Sequence, residues 1–199
     1  MNELIIDTAT NLLLVAVKKD NLIFEKYRIG KNDNAEYVVE YIKLCLEEAN
    51  LTIDNIDTII VGVGPGSYTG IRNSVVVAKT LASTKKINLK TISSLNLLSS
   101  GYNLVSPAID ARRNHFFAAT YQNGVAIKDD QYISKNDLNN FENVVYLTTE
   151  NIKLNYDVIS KNAIECHDIH NLEPNYLRKT EAETNYDQKN GNNWYISSS

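Results

Sequence analysis

Two aspartates, a run of glycines and a pair of histidines are the residues in this chain whose types and spacing could do chemistry. Asp7 closes the apolar segment Leu4-Ile5-Ile6, and Asp110 closes another at residues 105–109. Carboxylates at the ends of matching strands can organise Mg²⁺ and phosphates. They can equally cap turns, accepting the N–H groups of the residues that follow. A nucleotide site of the first kind needs a glycine-rich loop in the second half as well. Beyond Gly101 the chain has only Gly124 and Gly191, well apart, and this favours the capping and turn roles.

The glycine run is the strongest local signal. It reads Gly62-Val63-Gly64-Pro65-Gly66-Ser67-Tyr68-Thr69-Gly70, after the apolar Ile59-Ile60-Val61 and before a helical pattern at 71–83. Glycines between a buried strand and a helix let backbone N–H groups approach an anion. They also make a tight strand-to-helix turn, and on the residues alone both readings stand, with Gly64, Gly66, Ser67, Thr69, Gly70 and Arg72 as the candidate positions. Two phosphate motifs are excluded. A Walker loop needs Lys and then Ser or Thr after its last glycine, where this chain has Ile71-Arg72; the dinucleotide fingerprint fails at Thr69.

His167 and His170 could present two imidazoles on one side of a helical turn, but no third ligand is evident, and neither HExxH nor HxxxH occurs. Ser67 lies in no GxSxG elbow. Cys45 and Cys166 are far apart, which fits a reduced compartment and forms neither a zinc half-site nor a redox motif. Neither a metal nor a cofactor is expected. The net charge of -4, with basic residues in scattered pairs, makes no electrostatic stripe of an autonomous nucleic-acid binder. The longest apolar run, residues 12–17, is too short to span a bilayer, and the first residues carry no basic leader. A cytoplasmic protein is expected.

These residues must be positioned by elements that periodicity predicts. Residues 4–6, 12–17 and 22–24 read as short strands, 35–49 as a helix with Val38, Val39, Ile42, Cys45, Leu46 and Ala49 on one face, and Asp33 or Asn34 as its N-cap. A strand at 59–61, the helix at 71–83, a strand at 88–92 and a short helix at 93–100 complete a βββαβαβα order. Strands at 105–109, 116–121 and 125–127 begin the order again, with Asn123-Gly124 as a turn. Residues 143–147 and 157–159 are further strand candidates. The expected division is a first lobe at 1–101, a shortened second lobe at 102–186 and a polar, loose tail at 187–199.

Four strings carry a family resemblance. Leu4-Ile5-Ile6-Asp7-Thr8-Ala9-Thr10, Gly64-Pro65-Gly66-Ser67-Tyr68-Thr69-Gly70-Ile71-Arg72 with Ala78-Lys79, Ile109-Asp110-Ala111-Arg112-Arg113, and Pro174-Asn175-Tyr176-Leu177-Arg178-Lys179 with Glu181-Ala182-Glu183 resemble the TsaB (YeaZ) family. The resemblance implies an ASKHA (actin/Hsp70-like, RNase H-like) α/β fold: two related lobes, each a mixed sheet flanked by helices. It implies a non-catalytic scaffold role in forming N6-threonylcarbamoyladenosine beside the tRNA anticodon. The transfer itself then belongs to a paralogue, TsaD, with which the chain pairs, and assembly includes the P-loop ATPase TsaE; a homodimer is implied for the isolated chain. Asp7 and Asp110 become vestigial carboxylates. The chain departs from the family at Asn34-Ala35-Glu36, where His-Ser-Glu is usual, and at Ala9 and Tyr68, which replace Ser and Phe.

The partner surface is expected on the two long helices. Tyr37, Tyr41 and Leu44 form a second apolar set on the first, Val75, Val76, Val77 and Ala78 lie in succession on the other, and the small Ala78 and Ala82 would permit close approach. The competing reading is an enzyme, an ASKHA-type ATPase or kinase or a peptidase. The first lacks its second-half glycines and the last its paired histidines.

Overall fold

The computed structural model describes residues 1–30 and 33–177. A six-stranded mixed sheet is built from β1 (Asn2–Asp7), β2 (Leu12–Lys19), β3 (Leu22–Ile29), β4 (Thr58–Gly62), β5 (Asn88–Ile92) and β10 (Ile164–Glu165), in the order β10-β5-β4-β1-β2-β3. β1, β4 and β5 run parallel, while β2, β3 and β10 are antiparallel to their neighbours. The continuous apolar runs in β1 and β2 follow from burial on both faces. Leu4, Ile6, Leu13, Val15 and Val17 point to one core, and Ile5, Leu12, Leu14 and Ala16 to another.

The first core is covered by α1 (Asn34–Glu48) and α2 (Tyr68–Lys85). Asp33 occupies the N-cap position of α1, but its carboxylate binds the Arg28 guanidinium (Nη1 2.8 Å) instead of capping. α2 begins three residues before the periodic pattern does, because Ser67 caps it through its hydroxyl oxygen, which accepts from Gly70 N–H at 3.4 Å.

A second sheet, ordered β8-β7-β6-β9, comprises β6 (Leu104–Asp110), β7 (His115–Gln122), β8 (Val125–Ser134) and β9 (Val144–Tyr146). The Asn123-Gly124 turn joins β7 to β8 with both residues at positive φ (51° and 77°), as a two-residue hairpin requires. The strand read at 125–127 extends to Ser134, since a register shift near Ala118 and Thr120 restores pairing to β7. α3 (Ser94–Ser99), buried throughout, lies between the sheets. The second core draws Ile5, Leu14 and Ile60 from the first sheet, Leu95 and Leu98 from α3, and Val105, Phe117 and Ala119 from the second sheet, so the two halves share one apolar interior.

Residues 157–159 are helical, not a strand. α4 (Tyr156–Asn162) starts at Asn155, whose side-chain oxygen accepts from the N–H groups of Asp157 and Val158. It inserts Ile159 into the shared core and docks on the first sheet, where Lys18 donates to Asp157 at 2.8 Å and Ser160 binds the buried Glu3. β10 then adds to the first sheet beside β5, and Cys166, Ile169 and Leu172 pack against the first core. The tail expected at 187–199 and the string from Arg178 to Glu183 lie outside the described residues.

Candidate functional site

The glycine run is held against the β1–β2 turn by its backbone. Ser67 N–H donates to Ala9 C=O at 2.7 Å, and the Thr8 hydroxyl donates to Gly70 C=O at 2.6 Å. A Cβ at Gly66 would lie 2.2 Å from Ala9 O, and one at Gly70 would lie 2.1 Å from Thr8 O. These glycines are therefore required by close approach. A positive φ (94°) occurs at Gly64, which precedes a cis proline, and not at Gly66. Several N–H groups that an anion would use already have protein acceptors: Gly64 N–H donates to Ser94 Oγ at 3.0 Å, and Ile71 N–H to Ser67 C=O at 3.0 Å.

The two aspartates do not meet in one site. Asp7 is fully buried: its Oδ1 accepts from Ala9 N–H at 2.9 Å and its Oδ2 from the Ser94 hydroxyl at 2.5 Å. Burial pushes its carboxyl up to about 6, with both hydrogen bonds opposing the rise. Asp110 is exposed, and its Oδ1 accepts from Arg112 N–H at 2.8 Å in the β6–β7 turn. Ser93, next to Ser94, turns the other way; its hydroxyl donates to Asp130 at 3.0 Å, beside the Tyr121 hydroxyl. Burial raises both Asp130 and Tyr121 above their ordinary values. Sequence reading missed this pair of serines, which carry no spacing signal.

Between the two sheets lies a cleft of about 580 Å³, lined by Thr8 to Asn11, Asn34, residues 66–70, Asn73, residues 109–112 and Phe117. Asp110 and Arg112 reach it; Asp7 is not among its walls. His167 and His170 sit in the loop after β10, where the His170 carbonyl accepts from Lys79 Nζ at 2.8 Å. Among the described residues no group of three His, Cys, Asp or Glu side chains is placed to hold a metal ion, and no helix is long and apolar enough to cross a membrane.

The residues expected to form a partner surface do not form one patch. Val75, Ala78 and Ala82 are buried in the first core, so they support α2 on its own sheet and offer nothing outward. Tyr37, Tyr41 and Leu44 lie on the flank of α1 opposite the one facing α2. There Arg28 sits 3.9 Å above the Tyr37 ring, and Lys26 pairs with Glu48. Only Val76 faces an open apolar groove. That groove, about 500 Å³, runs between α1 and α2 and is lined by Val39, Leu46, Leu51, Val76, Val77 and Leu81 among others. Val39, expected from its spacing on the core face of α1, instead stands exposed on this groove, because the sheet beneath sets the rotation of the helix.

Two mixed sheets on either side of a cleft, each with helical cover, define an ASKHA-type α/β fold. Solved structures of the same fold include a Pseudomonas aeruginosa protein with similarity to peptidase YeaZ (TM-score 0.74, 21% identity, 89% of this chain and 99% of that one). Another is YeaZ from Pseudomonas aeruginosa (TM-score 0.71, 20% identity, 88% and 99%). Residues 29–167 match the family model of TsaD, tRNA N6-adenosine threonylcarbamoyltransferase. The chain belongs to this family, and its relatives within it are TsaB (YeaZ) proteins. The tRNA threonylcarbamoyladenosine biosynthesis protein TsaB of Bacillus subtilis is 29% identical over 94% of this chain and 98% of its own length. Its Escherichia coli namesake is 28% identical over 61% of this chain and 55% of its own length.

Proposed function

We propose that this chain is a non-catalytic, cytoplasmic scaffold subunit in the biosynthesis of threonylcarbamoyladenosine in tRNA, docking a TsaD-like transferase in the groove between α1 and α2. The groove is the observation that carries the reading. Val39 and Val76 stand 65% and 54% exposed on its two walls, and a continuous apolar trough on adjacent helices calls for a covering partner. The pathway is that of the Bacillus subtilis relative, whose length the match spans almost completely.

The non-catalytic part rests on the aspartates. Asp7 spends both oxygens on Ala9 and Ser94, and Asp110 caps its own turn. A hinged ATPase must also open and close its lobes, whereas here one apolar core runs through both sheets and α3. A TsaE-like P-loop ATPase would join the assembled pair, and tRNA would be held mainly by the complex. A second copy of the chain fits the same trough when the partner is absent, so homodimer and heterodimer exclude one another.

The test is Val39→Glu combined with Val76→Glu. Burial of each side chain is worth about 1.5–3 kcal/mol, so affinity for a TsaD-like protein, measured by calorimetry, should fall by more than about a hundredfold. Threonylcarbamoyladenosine in tRNA should fall with it, while circular dichroism stays unchanged. Undiminished affinity would place the interface elsewhere.

A further inference from the structure

The described residues of the strings that carry the family resemblance lie far apart in the chain and converge on the cleft between the sheets or its edge. Thr8 to Thr10, residues 66–70 and residues 109–112 line it, and Tyr176 stacks on Tyr68 at its edge with ring centroids 4.5 Å apart. Packing accounts for the glycines. The stack on Tyr176 still leaves Tyr68 42% exposed, and packing does not account for Arg72, whose guanidinium carbon lies 5.9 Å from the Tyr68 ring centroid. Nor does it account for Arg112. That residue starts a turn in which Arg112, Arg113 and Asn114 all hold left-handed backbone (φ 67°, 53° and 57°), and its exposed side chain lines the cleft. Lys135 N–H donates to Asn114 C=O at 2.8 Å, bringing a third exposed cationic residue to the same tip.

We infer that this cleft seats an unpaired nucleotide of an RNA strand. Its volume of about 580 Å³ is of small-ligand size. The Tyr68 ring offers a π-face to a base, and Asn73 and Thr10 offer amide and hydroxyl groups to its edge. The Asp110 carboxylate is an acceptor for a ribose hydroxyl or an exocyclic amine. Arg112, with Arg113 and Lys135 beyond it, meets the flanking phosphates, for which a guanidinium fork is suited.

Two other ligands fit less well. The carboxylate of Asp110 within the cleft repels an acidic peptide. It also opposes a free triphosphate, and the Ser67 side chain and carbonyl already take N–H groups of the first turn of α2. Arg112 lines the cleft, while Arg113 and Lys135 are not among its walls. Only a short contact is implied, in keeping with the net charge of -4, so the grip is weak without a partner. The inference rests on the reading of the chain as a tRNA-modification subunit and adds where the RNA touches it.

A covalent trap suits a weak contact. The full-length chain, without any partner, is irradiated with a short thiouridine-substituted oligoribonucleotide, and the attachment sites are mapped by mass spectrometry. Cross-links are expected on Tyr68, Tyr176 or residues 109–113. Tyr68→Ala and Arg112→Glu should each lower the yield about tenfold with circular dichroism unchanged, Arg112→Lys should keep most of it, and excess ATP should not compete. Attachment elsewhere, no attachment, indifference to both variants, or displacement by ATP or by an acidic peptide would overturn the inference. Because no transferase is present, this outcome is separate from the fate of the scaffold reading, which the groove variants decide.

Discussion

Burial as deep as that of Asp7 makes ionisation of its carboxyl harder than in water, and the consequence is measurable. Its folded value of about 6 lies above the ordinary 3.8, so its favourable contribution is complete below about pH 3.8 and is lost as pH rises through about 6. The difference is on the order of 3 kcal/mol. Asp7→Asn should abolish it: the urea midpoint of the native protein, relative to the variant, should rise as pH is lowered from about 7 to 4. A falling difference would mean that the fold lowers the Asp7 value instead of raising it. Gly66 gives a second test. With Ala9 O only 2.2 Å from a Cβ at this position, even Gly66→Ala should cost about 1–3 kcal/mol by chemical denaturation, and an unchanged midpoint would contradict the packing of the run on Ala9. Cys45, buried and with its thiol pushed up to about 12 by burial, should resist iodoacetamide in the native state while the half-buried Cys166 reacts first.

Among the elements, the segment from β10 to Leu177 meets the first core through Cys166, Ile169 and Leu172, each only partly buried. Lys79 on α2 holds it, donating to His170 C=O at 2.8 Å and to Leu172 C=O at 2.9 Å, and Asn175 N–H pairs with Val63 C=O at 2.7 Å. Lys79→Met removes two charge-assisted bonds and leaves two carbonyls to water. Hydrogen exchange in residues 168–177 should accelerate several-fold while α2 itself stays protected. Equal exchange would show that Ile169 and Leu172 suffice. β3 presents the opposite case. It is an edge strand, yet Phe24 packs on the first core and Lys26 and Arg28 are paired to Glu48 and Asp33, so its α1 side is tied down.

Taken whole, the molecule is two sheets around a common interior. The second core joins residues of both sheets through the buried α3, and α4 crosses from the second half to dock on β1 and β2. Such a body should unfold as one unit. Ile159→Ala, which opens a cavity where α4 enters that core, should cost about 2–5 kcal/mol and lower a single transition seen alike by calorimetry and circular dichroism. Two separated transitions would show that the halves fold independently. For the same reason a fragment of residues 1–101 alone would bare Ile5, Leu12, Leu14 and Ile60 and should aggregate.

Strand and helix order was legible along most of the chain because both carry their own period. Leu4-Ile5-Ile6 and residues 12–17 are apolar at every position since both faces are covered, and Asn123-Gly124 is a turn that needs no neighbour to define it. The four family strings were legible for a similar reason: each is local. Their meeting was not, because it depends on contacts such as Tyr68 on Tyr176, which are set by how the sheets stack and leave no spacing in the sequence. The apolar surplus on α1 and α2 could be counted from the residues, but not divided between core and surface. Val75, Ala78 and Ala82 went inward and Val39 and Val76 outward because the sheet beneath sets the helix rotation, which a one-dimensional pattern does not contain.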